Sequence, residues 1–278
     1  MFTKRSPWKL TLLTCLCLVI GLAGYQPARA EQAALPLAQA SNPGTDEKVQ
    51  ALAKAVNAWT ETLQPTPEPT IPPRPNPDLG VFLTFDDGPD PKWTPQVLDL
   101  LTRYGAVATF YMIGRNATSF PELVLDLAEH GQYLGNHTYN HADLAKLGYS
   151  GFYAEVIDTT EAIEQALSGH PELLGQVTPC LRPPYGSVGG EVYNYAYRMG
   201  YAVSMWQLDT SDWASPDPAE ILDNVVQNVA PNKVILMHDG GEYRTNTIEA
   251  LGLVLHELTL EGYQFLPLCT AQGQAYTY

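Results

Sequence analysis

From Leu79 onward the chain alternates short apolar runs with longer stretches in which apolar residues recur every three or four positions. The runs at 81–85, 108–113, 133–136, 179–182, 201–206, 233–238 and 263–268 predict buried β-strands. The stretches at 94–104, 121–130, 151–167, 190–199, 218–229 and 246–261 predict amphipathic helices. Thr94-Pro95, Phe120-Pro121 and Asp217-Pro218 put a proline at or near the first helical turn. Gly105, Gly131, Gly200 and Gly262 stand where helices should stop. Strand and helix in regular alternation imply a mostly parallel sheet. About seven strands fit a small, incomplete β/α barrel better than an eight-stranded one.

Before Leu79 the pattern is different. Lys4, Arg5 and Lys9 precede an apolar run from Leu10 to Ala23, and Ala28-Arg29-Ala30 offers a cleavage site. Residues 1–30 are therefore expected to be a cleaved secretory signal peptide; the apolar run is shorter than the ~20 residues of a membrane span. Residues 31–78 hold a helical stripe at 45–63 and then seven prolines between Gln64 and Pro77, expected to be a stiff tether. The domain proper is 79–278.

Charge narrows the partners. The whole chain carries −15. Residues 1–30 contain four of its 15 basic residues and none of its 30 acidic ones, which leaves −19 after cleavage. Such a surface repels nucleic acid and anionic membranes. No further stretch predicts stable membrane insertion, and nothing points to a protein partner. The expected location is secreted, periplasmic or at the cell envelope. Cys180 and Cys269 are the cysteines left after cleavage. They fall on the fourth and last predicted strands, which would face each other across a closed barrel, so two buried thiols are expected rather than a bridge.

Five polar clusters sit at or near strand ends, and in β/α barrels the C-terminal strand ends carry the chemistry. Asp86-Asp87 follows an apolar strand. Two adjacent carboxylates there repel unless a cation or a base separates their roles, so Asp87 is a candidate metal ligand and Asp86 a candidate general base. His137 and His141, four apart, are expected to present both imidazoles on one face of a helical turn, completing a three-ligand set with Asp87. Arg182 could hold Asp86 through a bidentate pair, and Pro183-Pro184 stiffens the chain before Tyr185, whose N–H could face a developing oxyanion. His238 is a candidate general acid, with Asp212 raising its pKa, and Trp213 offers a face for a sugar ring. Taken singly, each has a plainer explanation: a turn, a surface ion pair or a structural histidine.

Together the ordered motifs Thr84-Phe85-Asp86-Asp87-Gly88, His137-Thr138-x-x-His141, Arg182-x-Pro184-Tyr185, Asp209-x-x-Asp212-Trp213 and Leu236-x-His238 closely resemble the polysaccharide deacetylase family, carbohydrate esterase family 4 with its NodB homology domain. The resemblance covers roughly residues 79–268. It implies a distorted (β/α)7 barrel and metal-dependent removal of N-acetyl groups from a glycan. It further implies a divalent ion on Asp87, His137 and His141, zinc first and cobalt as the alternative. Asp86 would be the base and His238 the acid, with Arg182 positioning Asp86 and Asp212 tuning His238. Tyr185 would serve the oxyanion, and Leu236 with Trp213 would form the slot for the acetyl methyl. The expected substrate is an acetylated polysaccharide, peptidoglycan before chitin-like polymers or exopolysaccharide. An O-acetyl xylan esterase and a catalytically silent glycan-binding protein on the same fold are the alternatives.

Overall fold

The computed structural model describes residues 78–241 and 243–269. The expected leader at 1–30, the stripe at 45–63 and the tether at 64–77 lie outside them. Eight strands follow in chain order: β1 (Gly80–Asp86), β2 (Ala108–Met112), β3 (Tyr133–Asn136), β4 (Val177–Leu181), β5 (Ala202–Val203), β6 (Leu208–Asp209), β7 (Val234–His238) and β8 (Gln264–Phe265). The helices between them are α1 (Thr94–Tyr104), α2 (Gly114–Ser119), α3 (Pro121–Glu129), α4 (Tyr149–Ala166), α5 (Val192–Arg198), α6 (Pro218–Asn228) and α7 (Thr245–Leu260). Every strand pairing is parallel, in the order β5-β4-β3-β2-β1-β7-β6, with β8 attached only to the start of β1. This is the expected incomplete β/α barrel. Strand β6 and helix α2 were not expected, because two residues and six residues are too short to carry a period.

Helix ends follow the chain's punctuation. Gly105 closes α1 in the left-handed conformation, φ 59°, and its N–H bonds back to Leu101 and Thr102. Pro218 opens α6, where the Asp217 side chain caps the Ala219 N–H.

The strand pleat sorts side chains into two layers. On β1, Val81, Leu83 and Phe85 pack outward in the main core with Val97, Leu101, Leu251 and Leu255 of the helices, while Phe82 packs inward. Asp86 shares the parity of Phe82. On β2 and β7 the same alternation turns Tyr111 and Val234 inward. The barrel interior is thus apolar at its base and polar at the C-terminal rim.

The expectation of two free thiols is overturned: Cys180 and Cys269 are bridged, with their Cα atoms 6.4 Å apart. The expectation placed Cys269 on a strand that ran to 268. Strand β8 ends at Phe265, and the chain then leaves the sheet and enters the inward-facing cluster with Leu268, Phe82 and Tyr111. That path brings Cys269 to Cys180 instead of across the barrel from it.

Candidate active site

A pocket of about 410 Å³ opens at the C-terminal rim. Eight of the ten expected site residues line it: Asp86, Asp87, His137, His141, Tyr185, Trp213, Leu236 and His238. Arg182 and Asp212 lie directly behind, fully buried. Pro183, Gly186, Trp206 and Asp209 complete the wall.

Asp86 ends β1 in register with Tyr111 and His238. The pair with Arg182 is not the expected bidentate one: Asp86 Oδ1 accepts from Nη1 alone at 2.7 Å, the same Nη1 donates to Thr84 Oγ1 at 2.8 Å, and the other nitrogens turn to the Ser204 and Met205 carbonyls. Both partners are out of solvent, so this is a buried ion pair, in which loss of one partner costs about 3–5 kcal/mol. The next residue faces elsewhere. Asp87 has φ 74°, a left-handed backbone that reverses the chain at the strand end. Its carbonyl accepts from Asn116 Nδ2 at 2.9 Å, which ties the turn to α2.

His137 and His141 do meet, but not on a helical turn. Thr138 and His141 have φ 66° and 60°, and the segment is an irregular loop beyond β3. The Thr138 N–H donates to Asn136 Oδ1 and the Ala142 N–H to Thr138 Oγ1, both at 3.0 Å, so polar side chains shape the loop in place of a helix ladder. The ring centroids lie 5.0 Å apart, with Nε2 of His141 and of His137 at 3.2 and 3.5 Å from Asp87 Oδ1.

The far side of each ring fixes its tautomer. His137 Nδ1 is 2.7 Å from the Arg182 carbonyl, which can only accept, so Nδ1 carries the hydrogen. His141 Nδ1 faces Tyr185 Oη at 3.1 Å, while that hydroxyl donates to the His141 carbonyl at 3.4 Å. Both Nε2 atoms therefore turn lone pairs toward Asp87 Oδ1, which is buried and has no hydrogen-bond donor among the described residues. Three lone-pair atoms within 4.8 Å of one another and no proton between them fit a cation with N and O ligands. Burial would raise the Asp87 carboxyl; protonated imidazoles donating to it would instead hold it well below the usual carboxylate range, but the tautomers fixed above leave that position to a cation. A cation in the same place acts in the same direction.

Across the pocket His238 is held the other way. Its Nδ1 lies 2.8 Å from Asp212 Oδ1, and its backbone N–H donates to Asp212 Oδ2 at 2.9 Å. Thr247 Oγ1 donates to Oδ2 at 3.0 Å, fixing the carboxylate. Burial would lower the imidazole pKa, but the hydrogen bond and charge of Asp212, with Asp86 and Asp87 beyond, raise it. Nε2 is left for the pocket. Leu236 lies two residues earlier on the same inward face, and Trp213 stands at the rim, 59% exposed.

One buried acid escaped the sequence reading. Asp239 accepts from Thr94 Oγ1 at 2.5 Å, and its N–H donates to the Asp86 carbonyl at 3.1 Å. It backs directly onto the turn: a Cβ on Gly88 would lie 2.3 Å from its Oδ2. Burial foremost pushes its carboxyl up to about 7; the Thr94 hydrogen bond opposes this and the Asp87 and Asp86 charges add to it. A carboxyl that stays neutral below that pH is tolerable beside two ionised ones. Its signal was an acid wedged between a buried strand and the glycine that follows.

Comparisons with known proteins point to one family. The family model for polysaccharide deacetylases matches residues 74–204. A peptidoglycan-N-acetylglucosamine deacetylase of Bacillus cereus is 38% identical over 194 residues, 69% of this chain and 87% of that protein. A chitooligosaccharide deacetylase of Bradyrhizobium sp. is 34% identical over 199 residues, 68% of this chain and 88% of its own length. The solved structure of peptidoglycan deacetylase PdaC from Bacillus subtilis superimposes with a TM-score of 0.61 at 31% identity, covering 69% of this chain and 89% of that one. With the barrel, the rim pocket and these matches in agreement, the chain belongs to the polysaccharide deacetylase family, hydrolases that act on amide bonds.

Proposed function

We propose that the protein is an extracytoplasmic, metal-dependent N-deacetylase of N-acetylhexosamine polymers, with peptidoglycan as first substrate. The observation that carries the reaction is the convergence of Asp87, His137 and His141 within 4.8 Å, in a pocket that Asp86 and His238 also line. Peptidoglycan stands first because the B. cereus and B. subtilis relatives bear its name; the rhizobial relative supports chitin-like oligomers next. The bridge between Cys180 and Cys269 suits an oxidising compartment outside the cytoplasm.

Asp87, His137 and His141 would hold the divalent ion, zinc first and cobalt as the alternative. When bound, that ion supplies Lewis acidity, polarising a carbonyl and lowering the pKa of a coordinated water to about 7. Asp86, paired with and aimed by Arg182, takes the proton of the attacking water. The Tyr185 N–H, on a turn whose φ is 61°, donates to the oxyanion that develops on the acetamide. Its carbon–nitrogen bond then breaks, and the His238 imidazolium gives its proton to the departing amine, leaving acetate and a free amino sugar. Asp212 keeps that imidazolium charged and oriented. Leu236 and Trp213 receive the acetyl methyl. The test is acetate release by the purified protein from peptidoglycan and from N-acetylglucosamine oligomers, with zinc or cobalt and again with chelator. Metal-dependent acetate is the expected result; none from either polymer, with metal bound, would refute the assignment.

A further inference from the structure

Arg182 is the largest fully buried side chain of the molecule's described part, and a guanidinium so placed needs more than one partner to stay in one pose. Its grip on Asp86 and Thr84 runs through the single nitrogen Nη1. Those two bonds lie in the guanidinium plane and leave Nε and Nη2, on its far edge, to other partners. The remaining polar contacts are long: Nε to the Ser204 carbonyl at 3.3 Å and Nη2 to the Met205 carbonyl at 3.5 Å. What backs the plane is aromatic: the Trp206 ring centroid lies 5.6 Å from Arg182 Cζ, and a second ring lies closer. Tyr111, itself wholly buried on β2, lies with its ring centroid 4.0 Å from Arg182 Cζ, within cation–π range.

The Tyr111 hydroxyl then adds something a phenylalanine could not. It donates to Ser204 Oγ at 2.6 Å, so the residue whose side chain it holds is the one whose carbonyl takes Arg182 Nε. A hydroxyl in this apolar layer loses its water, and burial pushes the phenol above its ordinary value, so it remains a neutral donor at working pH. Gly135 on the neighbouring strand admits the ring; a Cβ there would lie 2.7 Å from Tyr111 Cδ1. Ring, hydroxyl and glycine make one cradle beneath the guanidinium.

We propose that Tyr111, acting with Ser204, is a positioning residue for deacetylation, holding Arg182 in the pose from which it aligns Asp86. This rests on the reading of Asp86 as the base. Tyr111 does not reach the pocket, so its effect falls on turnover and leaves substrate affinity alone.

The experiment compares Tyr111→Phe, Ser204→Ala, Tyr111→Leu and Arg182→Lys, alone and with each Tyr111 or Ser204 change built into Arg182→Lys. It measures kcat and KM for N-acetylglucosamine oligomers, bound zinc and thermal unfolding. Tyr111→Phe and Ser204→Ala should each lower kcat about 5-fold, the scale of one net hydrogen bond. Tyr111→Leu, which also loses the ring, should lower it about 10²-fold, with KM and bound zinc unchanged throughout. In the Arg182→Lys background the same changes should cost little more, because they act through the guanidinium. Wild-type kcat for Tyr111→Phe, Ser204→Ala and Tyr111→Leu, or losses that multiply fully with that of Arg182→Lys, would overturn the proposal. Wild-type kcat for Arg182→Lys itself would instead refute the reading of Asp86 on which it rests. Should Tyr111→Leu fail to fold, the two conservative variants decide the matter.

Discussion

Two sides of one pocket bring histidine against aspartate, and they do it in opposite senses. On the β1–β3 side, His137 and His141 send their Nδ1 hydrogens outward, to a carbonyl and to Tyr185, and turn both Nε2 atoms on Asp87. On the β6–β7 side, His238 points Nδ1 at Asp212 and keeps Nε2 for the pocket. The first arrangement gathers lone pairs and calls for a cation. The second stabilises an imidazolium and stores a proton. Residue type alone does not distinguish ligand from acid; which ring nitrogen faces the carboxylate does.

The largest effect should come from the first side. His141→Ala removes one of three ligands, so bound zinc should be lost and kcat/KM should fall on the order of 10³-fold, the several kcal/mol that Lewis acidity contributes. Metal analysis beside acetate release checks it; a variant that still binds zinc at wild-type affinity would break the contrast between the two sides.

Asp212→Asn, on the second side, should leave zinc bound while lowering kcat on the order of 10–10²-fold. Its sharper signature is in pH. The raised pKa of His238 keeps the donor protonated to higher pH than an ordinary histidine, and activity is lost as pH rises through that value. Without the carboxylate the pKa drops, so the alkaline limb of kcat should move to lower pH. An unmoved limb would mean that another group supplies the proton.

A smaller change should follow Tyr185→Phe, which takes away the acceptor for His141 Nδ1–H. Zinc affinity should weaken about 10-fold, read by competition with a chelator. Breaking the bridge with Cys180→Ser and Cys269→Ser touches neither histidine set. It should cost about 2–5 kcal/mol of stability in denaturant unfolding and leave bound zinc as it was.

Much of this was legible beforehand. The periods placed the strands that carry Asp86, His137, Arg182 and His238, and the parallel barrel put their ends on one rim. What the pattern could not carry was backbone shape. Asp87, Thr138, His141, Tyr185 and Ser211 all have φ between 58° and 74°, a region that non-glycine residues rarely occupy and that no hydrophobic period records. For that reason the His137–His141 spacing suggested a helical turn where a looped one stands. The cysteines misled for a related reason: two residues of β8 end the sheet early, and the direction of the chain past Phe265 is set by packing against Phe82 and Tyr111, at long sequence separation. Tyr111 was visible only as a position on a buried strand and Asp239 only as an acid past a strand end, since what they touch comes from other strands and helices.

The division of labour between Asp86 and Asp87 is the central claim, and one measurement tests it most directly: bound zinc and acetate release, determined together, for Asp86→Asn and Asp87→Asn. Asp86→Asn is expected to hold zinc and release no acetate, whereas Asp87→Asn should lose both. Acetate at the wild-type rate from Asp86→Asn, or zinc at wild-type affinity on Asp87→Asn, would contradict the account.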